Sequence, residues 1–217
     1  MTHPDWTSQR LAMVRRQIEA RGIRDPRVLQ ALKTVPRHEF VPESARSAAY
    51  EDEPLPIGRG QTISQPFMVA LMSEALGLHG SERVLEVGTG SGYQAAVLGE
   101  LAAEVFTVER IAELAGTAAR TLEELGCANV TVVVGDGCRG LSEHAPFDAI
   151  LVAAAAPSVP PALREQLADG GVLVVPIGES AAVQVLTIVR RTADRFTTEE
   201  GTGCRFVPLI GEGAFDG

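Results

Sequence analysis

The chain has 217 residues, 45% hydrophobic and 22% charged, a balance that fits one globular domain and excludes a disordered polymer. Its 28 acidic residues against 19 basic ones give a net charge of −9, which argues against a nucleic-acid-binding surface. The longest purely apolar run, Ala149 to Ala156, has eight residues, too few to cross a bilayer. The three cysteines and four histidines show no disulfide or metal-ligand spacing, so no metal is expected.

In chain order, Met1 to Asp5 lacks a basic segment leading into an apolar one, so a cytoplasmic setting is expected. Leu11, Val14 and Ile18 lie at helical spacing and predict a first helix ending near Gly22. Asp25-Pro26 opens a second, by cap and first-turn proline. Residues 50–66 mix prolines and glycines with Leu55, Ile57 and Ile63, which reads as an ordered loop packed on the domain. Ser64 then stands just before a helix starting at Pro66 or Phe67. From residue 83 strand-like runs alternate with helical stretches. The runs are Arg83–Val87, Val105–Glu109, Val130–Val134, Phe147–Val152 and Gly171–Ile177; the helices are Tyr93–Leu101, Ile111–Leu125 and Pro160–Leu167. Continuous apolar strands separated by helices predict an α/β, doubly wound, mostly parallel sheet. Val183–Val189 and Arg205–Leu209 read as added edge strands. One domain over 1–217 is expected, with 1–82 a helical extension and substrate loop, and 83–217 a cofactor-binding core.

The strongest local signal is Glu86-Val87-Gly88-Thr89-Gly90-Ser91-Gly92, directly after the first core strand and opening a helix. Its glycines allow a sharp turn and close approach of the backbone to a ligand. The sixth position is Tyr93, so the dinucleotide pattern is not met, and no phosphate-binding lysine follows. Glu109 ends the second strand, 21 residues past Gly88, where a carboxylate can accept both ribose hydroxyls. Asp136, in Gly135-Asp136-Gly137, can offer a carboxylate to an adenine amino group. Glu86 would repel a pyrophosphate and attract a sulfonium, which favours S-adenosylmethionine over NAD.

With these blocks in view, the chain resembles the protein-L-isoaspartate (D-aspartate) O-methyltransferases over nearly its whole length. Matching segments include Arg37–Pro42, Tyr50–Asp52, Leu55–Gly58, Val84–Ala96, Val108–Arg110, Gly135–Gly137, Pro161–Gly171 and Arg205–Leu209. Gly60-Gln61-Thr62-Ile63-Ser64-Gln65-Pro66 is the most specific, since generic methyltransferases share the cofactor loop but not this segment. Cys138, Leu141 and Ala153 depart from residues common in relatives. The resemblance implies Ser64 as the active-site residue and S-adenosylmethionine held by the glycine loop (Gly88 to Gly92) with Glu86, Glu109, Arg110, Asp136 and Gly137. It implies Thr62, Ile63, Ser64 and Val207 on the substrate side, isoaspartyl proteins and peptides as partners, and a monomer with no nucleic acid or membrane partner. Read without the resemblance, Ser64 is a helix N-cap. An enzyme acting on a programmed aspartate of one dedicated peptide, a non-catalytic binder of damaged peptides and a small-molecule methyltransferase are the competing readings.

Overall fold

A computed structural model describes residues 5–179 and 182–216; the Met1–Pro4 part of the leader reading lies outside them. The first helix, α1 (Trp6–Met13), runs on through a π-helical turn at Val14–Ile18 and a 3-10 turn at Glu19–Arg21, and stops at Gly22 with φ 107°. The wider turn rotates the buried face. Met13, Val14 and Ile18 are buried, whereas Leu11, expected on the same stripe, is 46% exposed. The second helix, α2 (Pro26–Thr34), opens as expected, with the Asp25 carboxylate accepting the Arg27 and Val28 amides.

Residues 50–66 are ordered. They form a hairpin of β1 (Leu55–Gly58) and β2 (Gln61–Ile63) that buries Leu55 and Ile63, and lead into α3 (Pro66–Leu76). The core then alternates as β3 (Arg83–Val87), α4 (Tyr93–Gly99), β4 (Glu104–Glu109), α5 (Ala112–Glu124), β5 (Val130–Val134), β6 (Phe147–Val152), α6 (Pro161–Glu165) and β7 (Leu167–Ile177). An antiparallel pair, β8 (Gln184–Thr192) and β9 (Arg195–Cys204), completes the seven-stranded sheet in the order β5-β4-β3-β6-β7-β8-β9.

Alternation along the strands divides the core between the two faces. Val84, Val105, Ala149, Leu151 and Val174 join a cluster with α1 to α4 that reaches back to Met13 and Ile18. Leu85, Val87, Phe106, Val108, Ile150 and Leu173 join a second cluster with Leu163 of α6. Both faces being covered, the parallel strands read as unbroken apolar runs.

Two expectations are corrected. Arg205–Leu209 is not an edge strand: it crosses the carboxyl end of the sheet, where the Ala155 amide donates to Val207 O (2.8 Å) and the Leu209 amide to Ala155 O (2.7 Å). Its apolar residues face the two clusters, Phe206 one and Val207 and Leu209 the other, which is why it read as a strand. The edge is β9, whose side chains are exposed up to Cys204 and whose pairing with β8 is a matter of backbone. The strand expected over Gly171–Ile177 starts earlier, at Leu167, so β7 takes in Asp169-Gly170-Gly171 and the preceding helix is shorter than expected.

Candidate active site

Strand order reverses between β3 and β6, and a cleft opens outside their carboxyl ends, where doubly wound sheets hold ligands. It encloses about 890 Å³, part of it open to solvent. Val87 to Ser91 form its floor, Glu109 and Arg110 one side, and Gly137 another; Val207 to Ile210 cross it and Gln61 to Ser64 close the end. Gly88 turns with φ 94°, which lets its amide donate to Val108 O at 2.9 Å and ties the loop to β4. At Gly137 a Cβ would stand 2.4 Å from Val87 Cγ1, so only glycine lets this turn approach the loop.

Glu109 lines the cleft at the end of β4. Its Oε2 accepts the Gly90 amide (3.0 Å) and its Oε1 the Ile111 amide (2.9 Å), and each oxygen keeps capacity for a hydroxyl. Ser91 Oγ accepts the Tyr93 amide (3.3 Å), and Gly92, with φ 90°, is the N-cap of α4 behind the cleft wall. Thr89 is buried, its hydroxyl 2.6 Å from that of Thr107.

Glu86 departs from expectation. It is fully buried in β3, opposite Thr107 in register, and accepts the Thr107 hydroxyl; its other oxygen has no partner. Burial, with a smaller push from Glu109, raises its carboxyl to about 8 despite that bond, so at neutral pH it is mostly protonated and gives the cleft little charge. It does not line the cleft. Asp136 departs as well: Oδ1 accepts the Cys138 amide (2.9 Å) and Oδ2 the Glu212 amide (3.0 Å), so the tail sits on the carboxylate meant for adenine. Burial works to raise its pKa, but the Glu212 and Cys138 amides, with the Cys138 thiol and the Arg139 cation, together outweigh it and hold the group below the usual range. Of the departures noted in sequence, Cys138 and Leu141 are buried in the second apolar cluster, whereas Ala153 lines the cleft.

A second hollow of about 810 Å³ shares Thr62, Ser64, Ala153 and Val207 with the first. Ser64 therefore stands in a wall common to both. It is half-buried, and among the described residues its hydroxyl makes no hydrogen bond. The helix-cap alternative does not hold: the N-cap of α3 is Gln65, and the Phe67 amide is taken by Asp52 Oδ1 (3.2 Å). Asp52 Oδ2 also receives Arg21 Nη1 (2.6 Å) and Gln65 Nε2 (2.8 Å), so this carboxylate anchors the segment carrying Ser64. Asp52 was not singled out from sequence, and no local pattern marks a carboxylate that caps a helix 15 residues on. Ile63 is buried under the hairpin at the edge of the first hollow.

A family model for protein-L-isoaspartate(D-aspartate) O-methyltransferase matches residues 8–214. The chain belongs to that family. Protein-L-isoaspartate O-methyltransferase 2 of Marinobacter nauticus is 56% identical over 209 residues, 96% of this chain and 95% of the relative. The Roseiflexus castenholzii protein-L-isoaspartate O-methyltransferase is 58% identical over 207 residues, 95% and 94% of the two chains. A solved protein-L-isoaspartate O-methyltransferase matches with TM-score 0.85 and 31% identity, covering 96% of this chain and 67% of that one. A Plasmodium falciparum relative, solved with S-adenosyl-L-homocysteine, matches with TM-score 0.81 and 26% identity over 93% and 98%. The activity is S-adenosylmethionine-dependent methyl transfer to isoaspartyl residues. With Glu86 neutral, family membership and not a charge beneath the loop decides the cofactor.

Proposed function

We propose that the first hollow holds S-adenosylmethionine, the second the isoaspartyl peptide, and that Ser64 in their common wall positions the acceptor carboxylate. The position of Ser64, shared by both hollows with its hydroxyl uncommitted, is the observation that carries this reading. Glu109 would take the ribose hydroxyls; the loop Gly88 to Gly92, Arg110 and Gly137 would line the nucleoside and methionine parts. Asp136 reaches adenine only by sharing or exchanging the Glu212 amide. The bound cofactor supplies an electrophilic methyl group on a sulfonium.

A carboxylate acceptor, with a pKa near 4, is already ionised at pH 7, so these residues have no proton to remove. Their task is alignment and exclusion of water. The Ser64 hydroxyl donates to the carboxylate, while Thr62, Ile63 and Val207 confine the peptide beside it. The methyl ester so formed re-cyclises readily, which suits repair of aged aspartyl and asparaginyl sites in many proteins. Three unpaired cysteines support a cytoplasmic setting, and large exposed apolar side chains lying on separate elements support a monomer.

An isoaspartyl residue adds one methylene to the main chain, so a normal aspartate would misplace its carboxylate by roughly a bond length. An error of about 1 Å costs on the order of a hundredfold in rate. Methanol released from the labile ester, measured on an isoaspartyl peptide and its aspartyl twin, is expected to be near background for the twin. Comparable rates on both, or activity on one peptide sequence alone, would overturn general repair.

A further inference from the structure

Arg21 and Arg205 line the second hollow, and among the described residues no carboxylate does. That is notable on a chain with net charge −9. The two arginines are not equivalent. Arg21 is committed, paired with Asp52 at 2.6 Å and stacked over the Phe67 ring at 3.5 Å. Arg205 is exposed and, among the described residues, makes neither an ion pair nor a side-chain hydrogen bond.

Its backbone, by contrast, is held on both sides. Cys204 ends β9 in register with Gln184, and Gln184 Oε1 accepts the Phe206 amide at 2.9 Å. Gln184 Nε2 is in turn fixed by the carbonyls of Glu179 (3.1 Å) and Ala182 (2.9 Å). A long cationic side chain thus springs from an anchored point at the rim of the hollow that ends at Ser64. An unpaired guanidinium so placed is suited to carboxylates, by charge and by its planar fork.

We propose that Arg205 is a specificity-determining residue that favours isoaspartyl peptides carrying a further carboxylate close to the damaged residue. This rests on the reading of the second hollow as the peptide site. The overall charge of the protein predicts the reverse preference, since it repels acidic peptides, so the sign of the effect discriminates between the local cation and the global field.

The test compares two isoaspartyl peptides that differ only in flanking Glu or Lys residues, with binding measured by calorimetry on the S-adenosylhomocysteine-loaded protein and methylation measured in parallel. The acidic peptide should bind about two- to fivefold tighter at low salt, the range of one exposed charge pair, and the gap should close as salt rises. Arg205→Gln should erase the gap and Arg205→Glu invert it; at an exposed position both should fold, checked by unchanged melting. Equal binding of the two peptides, tighter binding of the lysine peptide, or a gap that survives Arg205→Gln would overturn the proposal. A gap in binding with neither peptide methylated would leave Arg205 in place and overturn the role given to Ser64.

Discussion

At Ser64 the structure separates two roles that one residue type serves equally well. With Asp52 and Gln65 occupying the start of α3, the Ser64 hydroxyl is left uncommitted, as the proposed substrate role requires. Ser64→Ala should therefore leave melting nearly unchanged, within about 0.5 kcal/mol, and keep S-adenosylhomocysteine affinity in calorimetry. Its kcat/KM on an isoaspartyl peptide should fall on the order of tenfold or more. A lower melting temperature with normal turnover would return the residue to a structural role. Glu86 makes a second prediction at this scale. Its carboxyl is raised from 4.5 to about 8 by burial, so between those values the folded state holds a proton that the unfolded chain has released. Stability from this group is present at low pH and is lost as pH rises towards 8. Glu86→Gln, neutral at every pH, should melt progressively higher relative to the parent from pH 5 to pH 8; a gap independent of pH would mean the carboxylate is ionised in place. The glycine loop and Glu109 were legible as cleft-lining residues because spacing after a strand fixes where they lie, whereas Ser64 was marked only by the resemblance of its segment, since its own local pattern reads as a helix cap. The side chain environments of Glu86 and Asp136 were not, since each depends on a partner distant in sequence, Thr107 at the facing register position and the Glu212 amide.

Elements were legible where periodicity is driven by burial on both faces, as in β3, β4 and β6, each read to within a residue of its bounds. They were not where the backbone alone decides. Nothing in Arg195–Cys204 alternates, and its Glu199 and Glu200 keep an exposed edge from pairing with another chain. The π turn after α1 is likewise invisible to a 3.6-residue template, and it carries the chain on to Arg21, which reaches Asp52. This joins the first helix to the segment that carries Ser64. Asp52→Ala would strand Arg21, Gln65 and the Phe67 amide and should cost about 1–3 kcal/mol. Turnover should drop with cofactor affinity nearly intact, and Asp52→Asn, which keeps an acceptor oxygen, should recover part of it. Denaturant titration beside calorimetry checks both; loss of cofactor binding in Asp52→Ala would show the carboxylate acting on the wrong hollow.

Over the whole molecule, the helices of residues 1–82 and the sheet contribute to one apolar cluster. We propose on that basis that extension and core fold as a single unit. The sole tryptophan, Trp6, reports on this directly, because it packs against the cluster with its ring 4.8 Å from that of His38. Unfolding followed by Trp6 fluorescence and by far-ultraviolet circular dichroism should give coincident curves. An earlier fluorescence transition would make the extension a separable layer.

The segment after β9 folds back onto the carboxyl end of the sheet. Ile210 lines the first hollow, the Glu212 amide donates to Asp136, and Phe215 turns back so that its amide donates to Leu209 O at 3.0 Å. The turns of residues 210–215 are thus wall material for the proposed cofactor hollow, whereas α1 lies away from it, and the two regions have unequal engineering value. A fluorophore attached near Phe215 would pull on the turn whose Glu212 amide holds the Asp136 carboxylate, whereas one attached at the exposed Leu11 of α1, which lines neither hollow, would leave ligand affinity alone.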